Sequence, residues 1–428
     1  MIFSKPNKKT YISVLTLLLV VITNSCKNND DTPIVTDIQL NETELTMNVG
    51  DEVSLQVTTD TYDNAIIWRS SNENIATVND QGLVTIMAGG TVAITATVDQ
   101  AQAICIINSN PDVFIIQREV EDEIPVFWKN GEKTSMGNEI DKILNSIFVY
   151  KEDVYVTGED WFSDGSGYLW KNGEVQNLPP SSGKINELKS FFKDDEGNEY
   201  MCAEIITDNN DKIPVYWANG VESLMETTPP SSILFTNGSI DIYGMYVGNG
   251  DVYIIGNQRV GSDENLATLW KNGIIQPFTG DVATFDFGSV HVKDGDVFVA
   301  GYARLSNTET VAKYWKNGTP VDLFSDTNPA FAEAISVADN GDVYVVGVQF
   351  LAGQAQAVYW KNEERILLHD GPRESSASDI FIFGDDIYIT GYGPERNGDA
   401  YFAYWKNGTP VTIPSREFRG GSWSLFVR

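Results

Sequence analysis

One pentapeptide, written aromatic-Trp-Lys-Asn-Gly, constrains this chain more than any other feature. It stands intact as "YWKNG" at Tyr314–Gly318 and Tyr404–Gly408. Near copies are "FWKNG" from Phe127, "LWKNG" from Leu169 and Leu269, "YWANG" from Tyr216 and "YWKNE" from Tyr359. The seven tryptophans follow one another at intervals of 42, 47, 53, 45, 45 and 45 residues. A period near 45 suits a four-stranded unit repeated around an axis. A second motif keeps step with the first: "DVYVTG" from Asp153, "DVYIIG" from Asp251, "DVFVAG" from Asp296, "DVYVVG" from Asp342 and "DIYITG" from Asp386. A further short strand precedes most of these, as "SVHV" precedes "DVFVAG". The third unit, "SFFKDDEGNEYMCAEI", is the most degenerate.

Each unit therefore holds four strands. Asn-Gly between alternating strands calls for a type I′ turn, because both central residues take positive φ. The aromatic pair before it lies on opposite faces of one strand, so each ring meets a different neighbouring blade. The pentapeptide is read as scaffold. The first unit opens directly on "DVFII" from Asp112, with no strand before it, while "SWSLFVR" near residue 428 has the missing strand's character. Ser422–Val427 is expected to pair with Asp112–Ile116, completing a seventh blade and leaving no open edge.

Residues 35–108 read differently. Short alternating strands separated by Asn, Asp and Gly at about ten-residue spacing suggest a β-sandwich. "LTMNVGDEVSL", "IIWRSSNENIATVNDQGLVT" and "AGGTVAITATV" resemble the bacterial Ig-like group 2 domain. The resemblance implies a spacer or adhesive module, with Trp68 in its core. The "YWKNG" units are similar to uncharacterised extracellular propeller repeats of secreted bacterial proteins, over roughly 109–428, and that resemblance implies no particular activity. The expected fold class is all-β: an N-terminal Ig-like β-sandwich over 35–108, then a seven-bladed β-propeller over 109–428 with C-terminal strand closure.

The first 25 residues carry Lys5, Lys8 and Lys9, then the apolar run "YISVLTLLLVVIT", then "NSC". This is the layout of a secretory signal, and the run is shorter than the roughly 20 residues of a membrane span. It resembles a bacterial lipoprotein signal, which implies lipidation of Cys26, although Thr23 and Asn24 depart from the commonest pattern. Asp30 and Asp31 resemble the export signal of surface lipoproteins in Bacteroidetes-type bacteria. A flexible lipidated linker over 26–34 and an outer-membrane, cell-surface location are the resulting expectations.

Formal net charge is −31, and −34 without the signal's three lysines. Nucleic acid and anionic lipid surfaces would be repelled by such a chain. Cys105 and Cys202 fall in different domains within strand-like runs, so they read as small buried apolar residues rather than a disulfide. His291 and His369 are too few for a histidine metal cluster or a Ser-His-Asp triad. No cofactor is expected. Calcium is the one metal the sequence leaves room for, at "DGSG", "DDEGNE" and "DNND".

The tight turns repeat from unit to unit, so variety, and with it function, belongs to the opposite face. There the loops between second and third strands carry Trp161, Phe162, Arg259, Tyr302, Arg304, Phe350, Tyr392 and Arg396. Aromatic faces beside hydrogen-bonding groups suit a sugar or a peptide. A monomeric, non-catalytic surface protein binding a glycan or an outer-membrane protein partner is the first reading. A carbohydrate-active hydrolase or lyase using carboxylates near the ring's centre is the alternative, and a structural or adhesive protein is the third. The arginine-and-"SxDxGxxW" pattern of sialidase-like propellers is not matched, since "FSDGSGYLW" has its aspartate and glycine out of register.

Overall fold

A computed structural model describes residues 35, 37–58, 65–118, 125–136, 142–160, 165–209, 211–227, 240–259, 265–277, 285–305, 309–323, 328–368, 374–396, 399–413 and 424–428. The described regular structure consists of β-strands throughout.

The Ig-like part is two packed sheets. One runs Glu44–Asn48, Ala101–Asn110, Gly90–Val98 and Ile67–Ser70, the first pair being parallel. The other runs Glu52–Ser54, Leu83–Ile86 and Ala76–Val78. Val84, Ile86, Val92, Ile94, Cys105 and Ile107 fill the space between them. Trp68 is half-buried against this core rather than sealed inside it. Gly82 is there because any Cβ would sit 2.7 Å from the Trp68 ring and 2.4 Å from the Leu55 carbonyl oxygen. The last strand runs to Asn110, two residues past the expected boundary.

Beyond it stand seven four-stranded antiparallel sheets, the blades of the propeller. Blades two to seven open on the strands Lys142–Tyr150, Lys184–Lys193, Ile240–Gly248, Phe285–Lys293, Ala330–Val337 and Ser376–Phe383. These innermost strands touch one another in order around the axis. Blade one takes its innermost strand, Leu425–Val427, from the far end of the sequence. That strand pairs antiparallel with Val113–Ile115 and touches the innermost strands of both blade seven and blade two. The ring closes.

The pentapeptide does more than turn the chain. In blade five Asn317 and Gly318 have φ of 51° and 78°, as a type I′ turn requires. Asn317 Oδ1 accepts the Val297 N–H at 2.8 Å, and its Nδ2 donates to Asp296 Oδ1 at 2.8 Å. Lys316 Nζ reaches the other oxygen of Asp296 at 2.7 Å while lying 5.1 Å over the Phe298 ring. The Asp of "DVFVAG" and the Lys-Asn of "YWKNG" thus form one corner, tying second strand to third. Blades one, two, four, six and seven repeat it at Asp112, Asp153, Asp251, Asp342 and Asp386. In blade six the Lys361 and Asn362 side chains pull Asp342 down to about 2. Blade three lacks the lysine, having Ala218, and Asn219 bonds Asn198 instead. The tryptophan beside each corner is 5 % exposed or less.

Blade six carries Glu363 where the other copies have glycine, at φ 74°. A side chain in this region is strained, so Glu363→Gly is expected to stabilise the protein by about 1 kcal/mol. Chemical denaturation of the two proteins checks it.

Candidate functional site

The loop face is the end of the ring where innermost strands begin and second strands finish. Along each second strand, alternate side chains meet the next blade: Tyr155 packs with blade three, Cys202 with blade four, Ala300 with blade six and Val346 with blade seven. Extending this alternation to the loop end gives one equivalent position per blade. Blades two to seven place Glu159, Glu204, Asn257, Tyr302, Val348 and Tyr392 there. Opposite them on the innermost strands lie Ile143, Glu187, Asp241, Asp286, Phe331 and Ser376.

On the side of blades five and six the loop face is aromatic. Tyr302 meets Phe331 edge-on with ring centroids 4.7 Å apart, and Phe331 meets Phe350 at 5.9 Å. Phe350 is 36 % exposed, and its backbone N–H is held by the Pro329 carbonyl at 2.9 Å. Arg304 and Leu305 are exposed at the end of the same strand as Tyr302. Tyr302 and Phe350, expected from sequence, are therefore brought together by Phe331, which was not. Tyr392 holds the Tyr302 position two blades on; burial first, then Glu374, raises its phenol. Trp161 and Phe162 lie outside the described residues, as do the side chains of Arg259 and Arg396.

On the side of blades two and three the row of second-strand positions is charged. Glu159 is 8 % exposed and Glu204 is fully buried. Lys189 pairs with Glu187, and Lys212 Nζ lies 3.1 Å from Glu204 Oε2. The other oxygen of Glu204 accepts the Ile242 N–H of blade four at 2.9 Å. Burial raises the Glu204 carboxyl, against the pull of Lys189 and Lys212. Burial also raises Glu159, and the charges of Glu187 and Glu204 push the same way. A carboxyl raised above its ordinary range near an ion-paired one has the makings of an acid–base pair.

The histidine and cysteines within the described residues contribute little. Cys105 and Cys202 are free thiols, both buried. His291 is half-buried beside Tyr246, and loss of solvent followed by Lys293 holds it down to about 4. His369 and Cys26 lie outside the described residues. Among the described residues no three His, Cys, Asp or Glu side chains are grouped to hold a metal ion. Asp194 of "DDEGNE" serves its own turn, accepting from Asn198 and Tyr200. Asp164 of "DGSG" and Asn210 of "DNND" lie outside the described residues.

Residues 34–107 match the model of the bacterial Ig-like domain (group 2). No curated protein matches the chain. Among solved structures it is similar to a puromycin-hydrolysing peptidase of Mycobacterium tuberculosis, with 10% identity over 76% of this chain and TM-score 0.49. The chain spans about half of that peptidase, 52%. It is also similar to the β-propeller domain of the Trilobed protease from Pyrococcus furiosus, with 12% identity, TM-score 0.38, and coverage of 78% of this chain and 98% of that one. A fucoside-bound lectin of Aleuria aurantia gives 11% identity and TM-score 0.36, covering 65% of this chain and 97% of the lectin.

Proposed function

We propose that this chain is a non-catalytic cell-surface protein that recognises a glycan through the loop face of its propeller. The observation that carries the reading is the aromatic group Tyr302–Phe331–Phe350, built from two blades and open to solvent at Phe350. Rings of this kind give sugar C–H faces something to stack on, and exposed Arg304 beside them offers hydrogen-bond donors. A lipid on Cys26 would hold the chain at the outer membrane, with the Ig-like domain as spacer.

The test is binding of the full chain to a broad array of plant, host and bacterial glycans, with calcium and with chelator. Tyr302→Ala and Phe350→Ala are each expected to weaken a saturable hit about tenfold, the loss of one ring's stacking. Undiminished binding by the double variant would move the site off these blades.

A second reading, a carbohydrate-active hydrolase, is favoured by one observation: the raised carboxyl of Glu159 beside Glu187. Release of new reducing ends from an array glycan, lost in Glu159→Gln, would replace the binding reading with that one.

A further inference from the structure

The Ig-like domain presents one face whose chemistry differs from the rest of the chain. It is the outer face of the sheet built from Glu44–Asn48, Ala101–Asn110, Gly90–Val98 and Ile67–Ser70. Alternation turns Cys105 and Ile107 inward and leaves Gln102, Ile104, Ile106 and Asn108 outward. Ile67, Ile104 and Ile106 are 55 %, 49 % and 37 % exposed. Residues 35–108 hold ten acidic residues and a single basic one, Arg69. These four strands nevertheless contain one acid only, Glu44. An apolar, nearly neutral surface on a chain of net charge −31 has the character of an interface.

The face is laid out in rows. The ladder puts Ile67 beside Thr97 and Gln102, and Arg69 beside Thr95 and Ile104. The next row is Ala93, Ile106 and Glu44. A base thus stands on one edge strand and an acid on the other. The two inner strands differ in height. Ala101–Asn110 carries the two isoleucines, whereas Gly90–Val98 carries the smaller Ala93, Thr95 and Thr97. A depression of about 500 Å³ follows the lower strand, lined by Ile67, Arg69, Ser71, Thr95, Thr97 and Gln102.

We propose that this face pairs with the same face of a second copy of the chain, in place of the monomer expected from the sequence. Two sheets packed face to face stand about 10 Å apart. A two-fold axis running along the strands lays the isoleucine strand of each copy over the Ala93–Thr97 trough of the other. The same axis brings each Arg69 toward Glu44 of the other copy. The two lie one row apart, an offset of about 7 Å along the strands that two long side chains span. An axis running across the strands would set Arg69 against Arg69 and Glu44 against Glu44. Charge and shape therefore select the same arrangement. Four strands about 4.8 Å apart and three to four rows cover roughly 400–500 Å² on each copy. That is the low end for a specific interface, so the pairing is weak, with Kd of about 100 µM. It is independent of glycan recognition by the propeller.

The experiment is sedimentation equilibrium of the full chain up to about 1 mM. It is run in about 0.15 M salt, where exposed charges more than about 8 Å apart are screened. Reversible dimers are expected for the wild-type chain. Arg69→Glu and Glu44→Arg change exposed side chains, so both variants should fold. Each alone sets like charges against each other twice per dimer and should weaken association at least about tenfold. An equal mixture of the two variants restores both opposite-charge pairs in the mixed dimer. It should recover association to within about threefold of wild type. A wild-type chain that stays monomeric throughout would overturn the proposal and leave the face to a different partner. Association undiminished by either reversal, or a mixture no better than its components, would overturn it as well.

Discussion

Deleting Ser422–Arg428 is expected to abolish cooperative unfolding of the propeller while leaving the Ig-like domain's own transition. The deletion removes Leu425 and Val427, which are 4 % and 2 % exposed. It also removes Phe426, set edge-on between Phe148 at 5.1 Å and Phe381 at 5.2 Å. Burying three such side chains stabilises by roughly 5–8 kcal/mol. Asp112, 2 % exposed, would lose Arg428, whose guanidinium lies 3.6 Å away and stacks over Phe114. The whole stability of a domain is commonly only about 5–15 kcal/mol. Calorimetry should show the propeller transition lowered by about 10 °C or more, or missing. An unchanged transition would mean that the composite blade does not hold the ring.

Gly347→Ala is expected to be almost as damaging, for a reason that lies in the innermost strand. A bulge between Ala332 and Ala334 drives the Phe331 carbonyl toward Gly347, where a Cβ would stand 2.0 Å from its oxygen. Gly158, Gly256 and Gly391 meet the equivalent carbonyls at 2.0, 2.3 and 1.9 Å. Backbone on both sides is fixed by ladder bonds, so the cost should exceed about 3 kcal/mol. Gly295→Ala provides the contrast. It has open space around it and only a positive φ to strain, so about 1 kcal/mol is expected. Blade three shows what accommodation takes: it has Ala203 at this position, and its innermost strand carries a second bulge, between Ile185 and Glu187. Equilibrium denaturation of the two variants side by side would reveal equal losses if the close approach were unimportant.

These glycines mark where reading the sequence stopped short. The spacing of Trp128 to Trp405 was enough for seven blades, and the orphan strand at Asp112 was enough for the closing strand. Those are matters of count and turn chemistry, which repeat. The glycine of "DVYVVG" was visible, but its cause is a bulge in a strand whose register no local pattern states. The Glu159–Glu204 equivalence was hidden because blade three is offset, its Asn198 standing where the others have aspartate. Among 60 acids neither residue stands out. Phe331 was passed over for a related reason: it begins an innermost strand and joins Tyr302 and Phe350 only across the blade junction. Loop residues could be listed from sequence, whereas their grouping depended on how neighbouring blades face each other.

Recognition through the loop face is tested most directly by hydrogen exchange of the full chain with and without the glycan it binds best. New protection at 302–305, 330–333 and 348–351 is the expected result. Protection confined to the Asp-Gly and Asn-Gly turns at 294–295, 317–318 and 340–341, on the opposite face, would contradict it.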